Sequence, residues 1–291
     1  MMKRRPHGVA RRSRELIANR YRQKKGVFIL YLVLNLLVLA SIVSAAIQAR
    51  WESIFIGVLA MILLLVPTLI EKSLKIALPK GLEIVALLFV FAAQILGEMN
   101  HFYIHIPWWD DLLHTVNGFM FAAFGFALVD ILNRASHKRF KLSPLFLAFV
   151  AFCFSMTIGV CWEFFEYLAD TVFKFDMQKD TIISAVRSME LSDAANPEII
   201  KLKDIEQTVI VYGDGQQYII EGGYLDIGLH DTILDLLVNF VGALIFSIFG
   251  YIYVQGTGRR STKIAEQFIP RPLDEDSPAE EKEEEKEESL V

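Results

Sequence analysis

The amino-acid sequence predicts an all-α integral membrane protein with six transmembrane helices, both termini cytoplasmic, and a small extracytoplasmic β-hairpin between helices five and six. Hydrophobic residues form 54% of the 291 residues, more than a soluble domain usually carries. They are concentrated in segments of roughly 20 residues, the length that crosses a bilayer. Lys and Arg lie mainly in alternate connections, as the positive-inside rule predicts for cytoplasmic loops.

Six apolar segments approach the length of a spanning helix. They are Val27 to Gln48, Ile54 to Ile70, Leu82 to Gly97, Asp111 to Leu132, Leu145 to Tyr167, and Leu229 to Val254. The third is short and contains Glu83 and Gln94, so it fits the pattern least well. The chain is thus divided into a basic tail (1–26), helices one to five (27–169), an extracytoplasmic loop (170–228), helix six (229–254) and an acidic disordered cytoplasmic tail (255–291).

Basic residues give the orientation. The N-terminal tail contains ten Lys or Arg and one Glu between Lys3 and Lys25. More basic residues follow helices two, four and six: Lys72, Lys75, Lys80, Arg134, Lys138, Arg139, Lys141, Arg259, Arg260 and Lys263. With six spans these segments fall on one side, whereas the opposite short links contain only Arg50 near their helices. Both termini are therefore predicted to be cytoplasmic, and the basic tail is explained by topology and anionic lipid rather than by nucleic-acid binding.

The long loop contains two local patterns. Ile182, Ile183, Val186 and Met189 have a spacing that predicts a short amphipathic helix. The stretch from Thr208 to Glu221 has two β-rich runs around Gly-Asp-Gly and predicts a hairpin. This hairpin is expected to pack on the membrane domain or on a partner, either as a lid over the polar residues described next or as a passive surface loop.

Seven polar side chains in segments four, five and six are the candidate site residues. They are Asp111, His114, Glu163, Glu166, Asp231, Asp235 and Asn239. Within each segment they are spaced by three or four residues, so they share one helix face. With cytoplasmic ends, helices four and six begin outside and helix five ends outside. The three polar faces are therefore expected to meet near the outer leaflet.

A capping role is the alternative for part of this set. Asp110, Asp111 and Asp231 lie at helix N-termini, where a carboxylate caps backbone N–H groups and faces the positive end of the dipole. That explanation does not extend to Glu163 and Glu166, because they lie near a helix C-terminus.

Asp235 lies deeper, roughly 10 Å along the sixth helix. An unpaired carboxylate there costs at least ~2.5–3.5 kcal/mol on insertion scales, so it needs a partner, a cation, a proton or water. The sequence leaves two interpretations open, a functional polar site and a structural hydrogen-bond network.

Five of these residues are the predicted metal ligands: Asp111, His114, Glu163, Glu166 and Asp235. Carboxylates with one imidazole suit a divalent metal ion such as Mg²⁺, Mn²⁺, Ca²⁺ or Zn²⁺ better than copper or an iron–sulfur cluster. Without a metal, the carboxylates could share a proton, and one could act as general acid beside a histidine base. Small residues beside them predict close helix packing: Gly118, Ala122, Gly125, Gly242 and Ala243.

Three motifs carry a family resemblance. They are Asp-x-x-His-x-x-x-Gly (Asp111, His114, Gly118), Trp-Glu-x-x-Glu (Trp162, Glu163, Glu166) and Asp-x-x-x-Asp-x-x-x-Asn-x-x-Gly (Asp231, Asp235, Asn239, Gly242). Over roughly residues 80 to 255, the pattern resembles the YjdF-type bacterial inner-membrane proteins and, more loosely, the VanZ-like family. The resemblance implies the architecture and a multi-pass location in the bacterial cytoplasmic membrane.

Three function classes remain. The first is a metal-assisted or acid–base enzyme of the envelope that acts on a lipid or lipid-linked substrate. The second is an ion-coupled transporter, and the third is a non-catalytic scaffold that binds partners through the hairpin or the acidic tail. Phosphate-binding glycine motifs and a Gly-x-Ser-x-Gly elbow are absent from the sequence. Beyond the lipid bilayer, the sequence identifies no partner.

Overall fold

The structure is a computed structural model that describes residues 24–74, 76–135, 142–193, 196–255, 268 and 271–272. Its helices are α1 (Lys25–Ile47), α2 (Trp51–Leu63), α3 (Val66–Leu74), α4 (Lys80–Phe91), α5 (Phe102–His105), α6 (Trp109–Ala135), α7 (Pro144–Leu168) and α8 (Leu229–Gln255). π-Helical segments continue α4 (Ala92–Met99) and α7 (Ala169–Phe173). The strands are β1 (Ile76–Ala77), β2 (Thr181–Ile183), β3 (Val186–Ser188), β4 (Ile200–Leu202), β5 (Gln207–Tyr212), β6 (Gln216–Glu221), β7 (Tyr224–Asp226) and β8 (Arg271–Pro272).

Six helical stretches of the described chain are long and apolar enough to cross a membrane. These spans are Lys25–Ile47, Trp51–Ser73, Lys80–Met99, Trp109–Asp130, Pro144–Phe173 and Leu229–Gln255. The predicted set of six membrane helices is therefore confirmed. The third span reaches its full length because the π-helical segment continues α4. Which face of the membrane is cytoplasmic stays a prediction.

Local sequence signals explain where the last two long helices begin. Pro144 opens α7, a position where its missing N–H costs no hydrogen bond, and the Ser143 hydroxyl accepts the Phe146 N–H at 3.2 Å. At the start of α8, the Asp226 carboxylate accepts the His230 N–H at 2.8 Å. Both contacts satisfy backbone donors that a helix N-terminus leaves without intrahelical partners.

The chain divides into two compact units, Met1–Met156 with Asn239–Val291, and Thr157–Val238. The first unit has two apolar clusters. One joins the first three spans around Val38, Ala60 and Leu87. The other surrounds Phe126 and Phe246, which are almost completely buried and pack edge to face at 6.0 Å.

Glycines allow two helix backbones of the first unit to touch. A Cβ atom at Gly118 would collide with the Asn239 carbonyl oxygen, and one at Gly242 with the Thr115 carbonyl oxygen. Close approach of α6 and α8 at these glycines is what the small-residue pattern predicts.

Part of the predicted disordered tail makes contacts within the first unit. Phe268 packs edge to face on Phe119 at 5.5 Å, and β8 pairs with β1, joining Ile76 to Pro272 and Ala77 to Arg271. This pairing agrees with a location of the two segments on one side of the membrane. That the acidic tail is disordered stays a prediction. Most of residues 255–291, and residues 1–23 of the basic tail, lie outside the described residues.

The second unit carries more strand structure than the sequence predicted. β5 and β6 form the predicted hairpin, with Thr208 opposite Ile220, and Gly213 and Gly215 have positive φ at its turn. The predicted amphipathic helix around Ile182 is wrong, because β2 pairs with β7 and β3 with β4. Short runs of β-branched residues are locally compatible with a helix or a strand. Here they form strands because they pair with segments further along the chain.

Candidate cation site

Two glutamates at the end of α7 face the interior. Glu163 and Glu166 are three residues apart, so they lie on one face of the helix. Their exposed fractions are 4% and 7%. Two adjacent carboxylates this deeply buried are unusual, because charged groups are rarely buried unless something compensates for the lost hydration.

Asp235 of α8 is the third carboxylate of the group and is 2% exposed. Each of the three residues has a carboxylate oxygen within 4.8 Å of one on each of the others. All three lie in the second unit. We call this group the carboxylate triad (Glu163, Glu166, Asp235). The sequence predicted these residues as ligands from helix spacing alone, and the structure brings them together from two spans.

Hydrogen bonds connect the two ends of the segment between the fifth and sixth spans, which we call the base of the loop. The Asp170 carboxylate accepts the backbone N–H groups of Met177 and Gln178 at 2.7 and 2.9 Å. The Gln178 side chain donates to the Thr232 hydroxyl at 2.6 Å. These bonds connect the end of the fifth span to the first turn of α8.

Asp231 and the β2–β7 pair strengthen this base. Asp231 accepts the Lys179 backbone N–H at 2.7 Å, and β7 ends just before α8 begins. The base of the loop therefore links the end of the fifth span to the first turn of α8. Asp231, predicted as a site residue, therefore has a structural hydrogen bond to the Lys179 backbone.

Trp162 orients one triad member. Its indole N–H donates to Glu166 Oε1 at 2.8 Å, one helical turn away. A second partner that fixes a ligand's orientation is typical of metal sites and raises their affinity. Trp162 belongs to the sequence motif but was not predicted to have a role in the site.

The triad fits a hard divalent cation. Mg²⁺ and Ca²⁺ prefer oxygen ligands at bond lengths of roughly 2.0–2.6 Å, so two oxygens bound to one ion lie up to about 4–5 Å apart. The 4.8 Å limit on the triad falls in that range. One such ion would offset two of the three negative charges and reduce the cost of burying them together.

The remaining predicted residues lie in the first unit. His114 Nε2 is 3.5 Å from Asp110 Oδ1, one turn earlier on α6. Asp110 was predicted as a helix cap, and its i, i+4 spacing from His114 is visible in the sequence. The backbone carbonyl of Asp111, a predicted ligand, accepts a hydrogen bond from the Thr115 hydroxyl at 2.7 Å.

Asn239 is fully buried in the first unit and has two polar contacts. Its Oδ1 accepts the Asn117 amide at 3.3 Å, and its Nδ2 donates to Met156 Sδ at 3.6 Å. The nearby Ser155 hydroxyl donates to the Gly118 carbonyl at 2.7 Å. A structural hydrogen-bond network accounts for Asn239. That Asp111 and His114 join the triad stays a prediction.

Comparison with known families identifies the matched region. The profile of a family described as "Predicted membrane protein (DUF2238)" matches residues 29–194. No curated protein and no solved structure matches the chain. The matched region contains Glu163 and Glu166 and ends before Asp235.

Proposed function

Since this chain belongs to the DUF2238 family of predicted membrane proteins, in agreement with the YjdF-type resemblance, we propose a function that takes place at the bilayer. The chain is a cation-dependent enzyme of the bacterial cytoplasmic membrane that acts on a lipid or lipid-linked substrate. The carboxylate triad holds a divalent cation such as Mg²⁺, Mn²⁺ or Ca²⁺. The observation that carries this proposal is the convergence of three buried carboxylates from two spans.

Each residue has a defined part in this function. Glu163, Glu166 and Asp235 bind the cation, and Trp162 holds the Glu166 carboxylate in its orientation. A bound divalent cation would polarise a phosphoryl or carbonyl oxygen of the substrate. The bilayer would deliver the substrate; this is supported by the location of the triad on two of the candidate membrane spans, Pro144–Phe173 and Leu229–Gln255.

Ion-coupled transport is less well supported by the described residues. A transport path needs ionisable groups towards the other membrane face, and the sequence offers Glu83 and Asp130 there. Glu83 bonds to Lys24 Nζ at 2.6 Å, and the same ammonium group contacts Glu71 at 2.7 Å. Glu83 therefore has a structural ion-pair partner among the described residues.

Elemental analysis of the detergent-purified full chain tests the proposal. After washing without a strong chelator, we expect near-stoichiometric divalent metal in the wild type. Glu163→Gln and Asp235→Asn keep the side-chain volume and remove a ligand charge, so the retained metal should fall by about tenfold or more. Trp162→Phe should give a smaller loss. Glu198→Gln, an exposed loop position, is the matched control and should retain full metal content.

Thermal unfolding of each variant separates metal loss from misfolding. If folded Glu163→Gln and Asp235→Asn retain as much metal as the wild type, the triad is not the cation site and the proposal is wrong. His114→Ala in the same series tests whether this imidazole is also a ligand. Hydrolysis of lipid-linked phosphate in micelles and cation flux in proteoliposomes then separate the enzyme from the transporter.

A further inference from the structure

Arg50 occupies a short turn between the first and second spans. Its backbone N–H donates to the Ala45 carbonyl at 2.9 Å, and Ala49 before it has a φ of 54°. The turn therefore fixes the arginine at the boundary of two membrane helices. Among the described residues, the Arg50 guanidinium has no hydrogen-bond or ion-pair partner.

Arg50 lies at a cleft of about 390 Å³ within the first unit. This volume is in the range of small-molecule sites, about 300–1,000 Å³. One wall is α1, where the lining runs from Leu37 through Ser41 to Ser44, roughly 10 Å of helical rise. The opposite wall is the end of the third span, from Phe91 to Asn100.

The cleft is polar at one end and apolar at the other. Ser44 lies near the end of the first span, and Arg50 and Asn100 lie just outside the spans, whereas Leu37 and Phe91 lie further inside. The second wall is π-helical over Ala92–Met99, and the Asn100 N–H continues this pattern by donating to the Ile95 carbonyl at 3.1 Å. Single π-helical turns in α-helices occur frequently at functional sites.

We propose that this cleft binds one membrane glycerophospholipid, with the lipid phosphate on Arg50 and one acyl chain along Leu37 and Phe91. Charge complementarity identifies the phosphate, because a guanidinium pairs with phosphate through two parallel hydrogen bonds and is only weakly hydrated. The apolar wall identifies a lipid rather than a free anion. The location of Arg50 between two spans matches the headgroup level of a bilayer.

Native mass spectrometry of the detergent-purified full chain tests the site. The chain is titrated with dioleoyl phosphatidylglycerol, with dioleoylglycerol, which lacks the phosphate, and with glycerol 3-phosphate, which lacks the chains. We expect one phosphatidylglycerol to bind the wild type at least about tenfold more tightly than either of the other two probes.

Two variants separate the phosphate contact from the cleft. Arg50→Gln should weaken phosphatidylglycerol binding by about tenfold or more and leave dioleoylglycerol binding unchanged. Ser41→Trp fills the cleft with Arg50 intact and should also abolish the bound lipid. Lys72→Gln, which removes a cation at the other end of the second span, is the matched control. Thermal unfolding verifies that each variant is folded.

Three results would overturn the inference. Arg50→Gln and Ser41→Trp could both keep the bound phosphatidylglycerol, dioleoylglycerol could bind equally well, or glycerol 3-phosphate could compete at the same concentration. The last result would identify a site for a small anion only. The inference does not depend on the carboxylate triad, so it is tested independently of the proposed function.

Discussion

Asp180, in the loop after the fifth span, has an environment rich in negative charge. Asp180 is exposed, but the limited desolvation of its carboxyl is still the largest cause that raises its pKa above the ordinary 3.8. The charges of Asp176, Asp170 and Asp226 raise this pKa further, and Lys179 opposes them. The folded protein therefore holds this proton more tightly than the unfolded chain does.

The sign of the pH effect follows from that difference in proton binding. Below about pH 3.8 both states bind the proton and Asp180 costs no stability. As pH rises through the folded-state pKa, the unfolded state has already lost its proton and the folded state becomes less stable. Asp180→Asn removes this effect. We expect it to raise the melting temperature at pH 7, with a stability gain of about 0.5 kcal/mol or less because the residue is exposed.

The gain from Asp180→Asn should shrink as pH falls through the folded-state pKa and disappear below about pH 3.8. Thermal unfolding in detergent at several pH values measures it. Asp214→Asn, at the exposed tip of the β5–β6 hairpin, is the control for removal of one loop carboxylate. A gain that is equal at low and neutral pH would mean that the substitution acts through something other than this proton.

At the scale of elements, the contact between α6 and α8 depends on two glycines. A methyl group at Gly118 or Gly242 would meet backbone atoms of the other helix rather than a flexible side chain. The helices would have to separate, so Gly118→Ala and Gly242→Ala should each destabilise the protein by about 1–3 kcal/mol. Gly26→Ala is the matched control, because a Cβ there has nothing within 4 Å.

Thermal unfolding of the three glycine variants measures this effect. Alanine has the higher helix propensity, so Gly26→Ala should be neutral or slightly stabilising. If Gly118→Ala and Gly242→Ala behaved like Gly26→Ala, the two helices would not be in backbone contact.

The spans were predictable from the sequence because their signal is local. Twenty apolar residues such as those of α1 satisfy the length and hydropathy of a bilayer without reference to any partner. The sequence analysis did not predict the π-helical continuation of α4. The β2–β7 pair was missed because its partners, Ile182 and Leu225, are far apart in sequence and form a sheet of only two strands.

The candidate site was partly predictable for the same reason. Helical spacing identified Glu163, Glu166 and Asp235 as carboxylates on the polar faces of their helices. This was possible because a charged residue inside an apolar segment can be recognised from the sequence. The contacts of Asp231 and Asn239 were not predictable, because a hydrogen bond to a backbone group or amide far along the chain leaves no periodic signal in the sequence. These two have structural contacts in the described chain.

At the scale of the whole molecule, the C-terminal segment contributes to the membrane domain. Phe268 packs against Phe119, close to the buried Phe246, and β8 pairs with β1. A chain that ends at Pro272 retains these contacts, whereas one that ends at Gln255 loses all of them. Deletion of 256–291 should therefore lower the melting temperature by more than deletion of 273–291 does.

Phe268→Ala isolates the aromatic contribution to this difference. Phe268 is only partly buried, so the loss of its apolar contact and edge-to-face pair should cost about 1–3 kcal/mol. Thermal unfolding in one detergent compares this variant with both truncated chains. An unchanged melting temperature for both Phe268→Ala and the 256–291 deletion would contradict the contact. If the chain without 273–291 also keeps its cellular function, the acidic tail is excluded as a scaffold for partners, because the membrane domain and the Phe268 contact are sufficient.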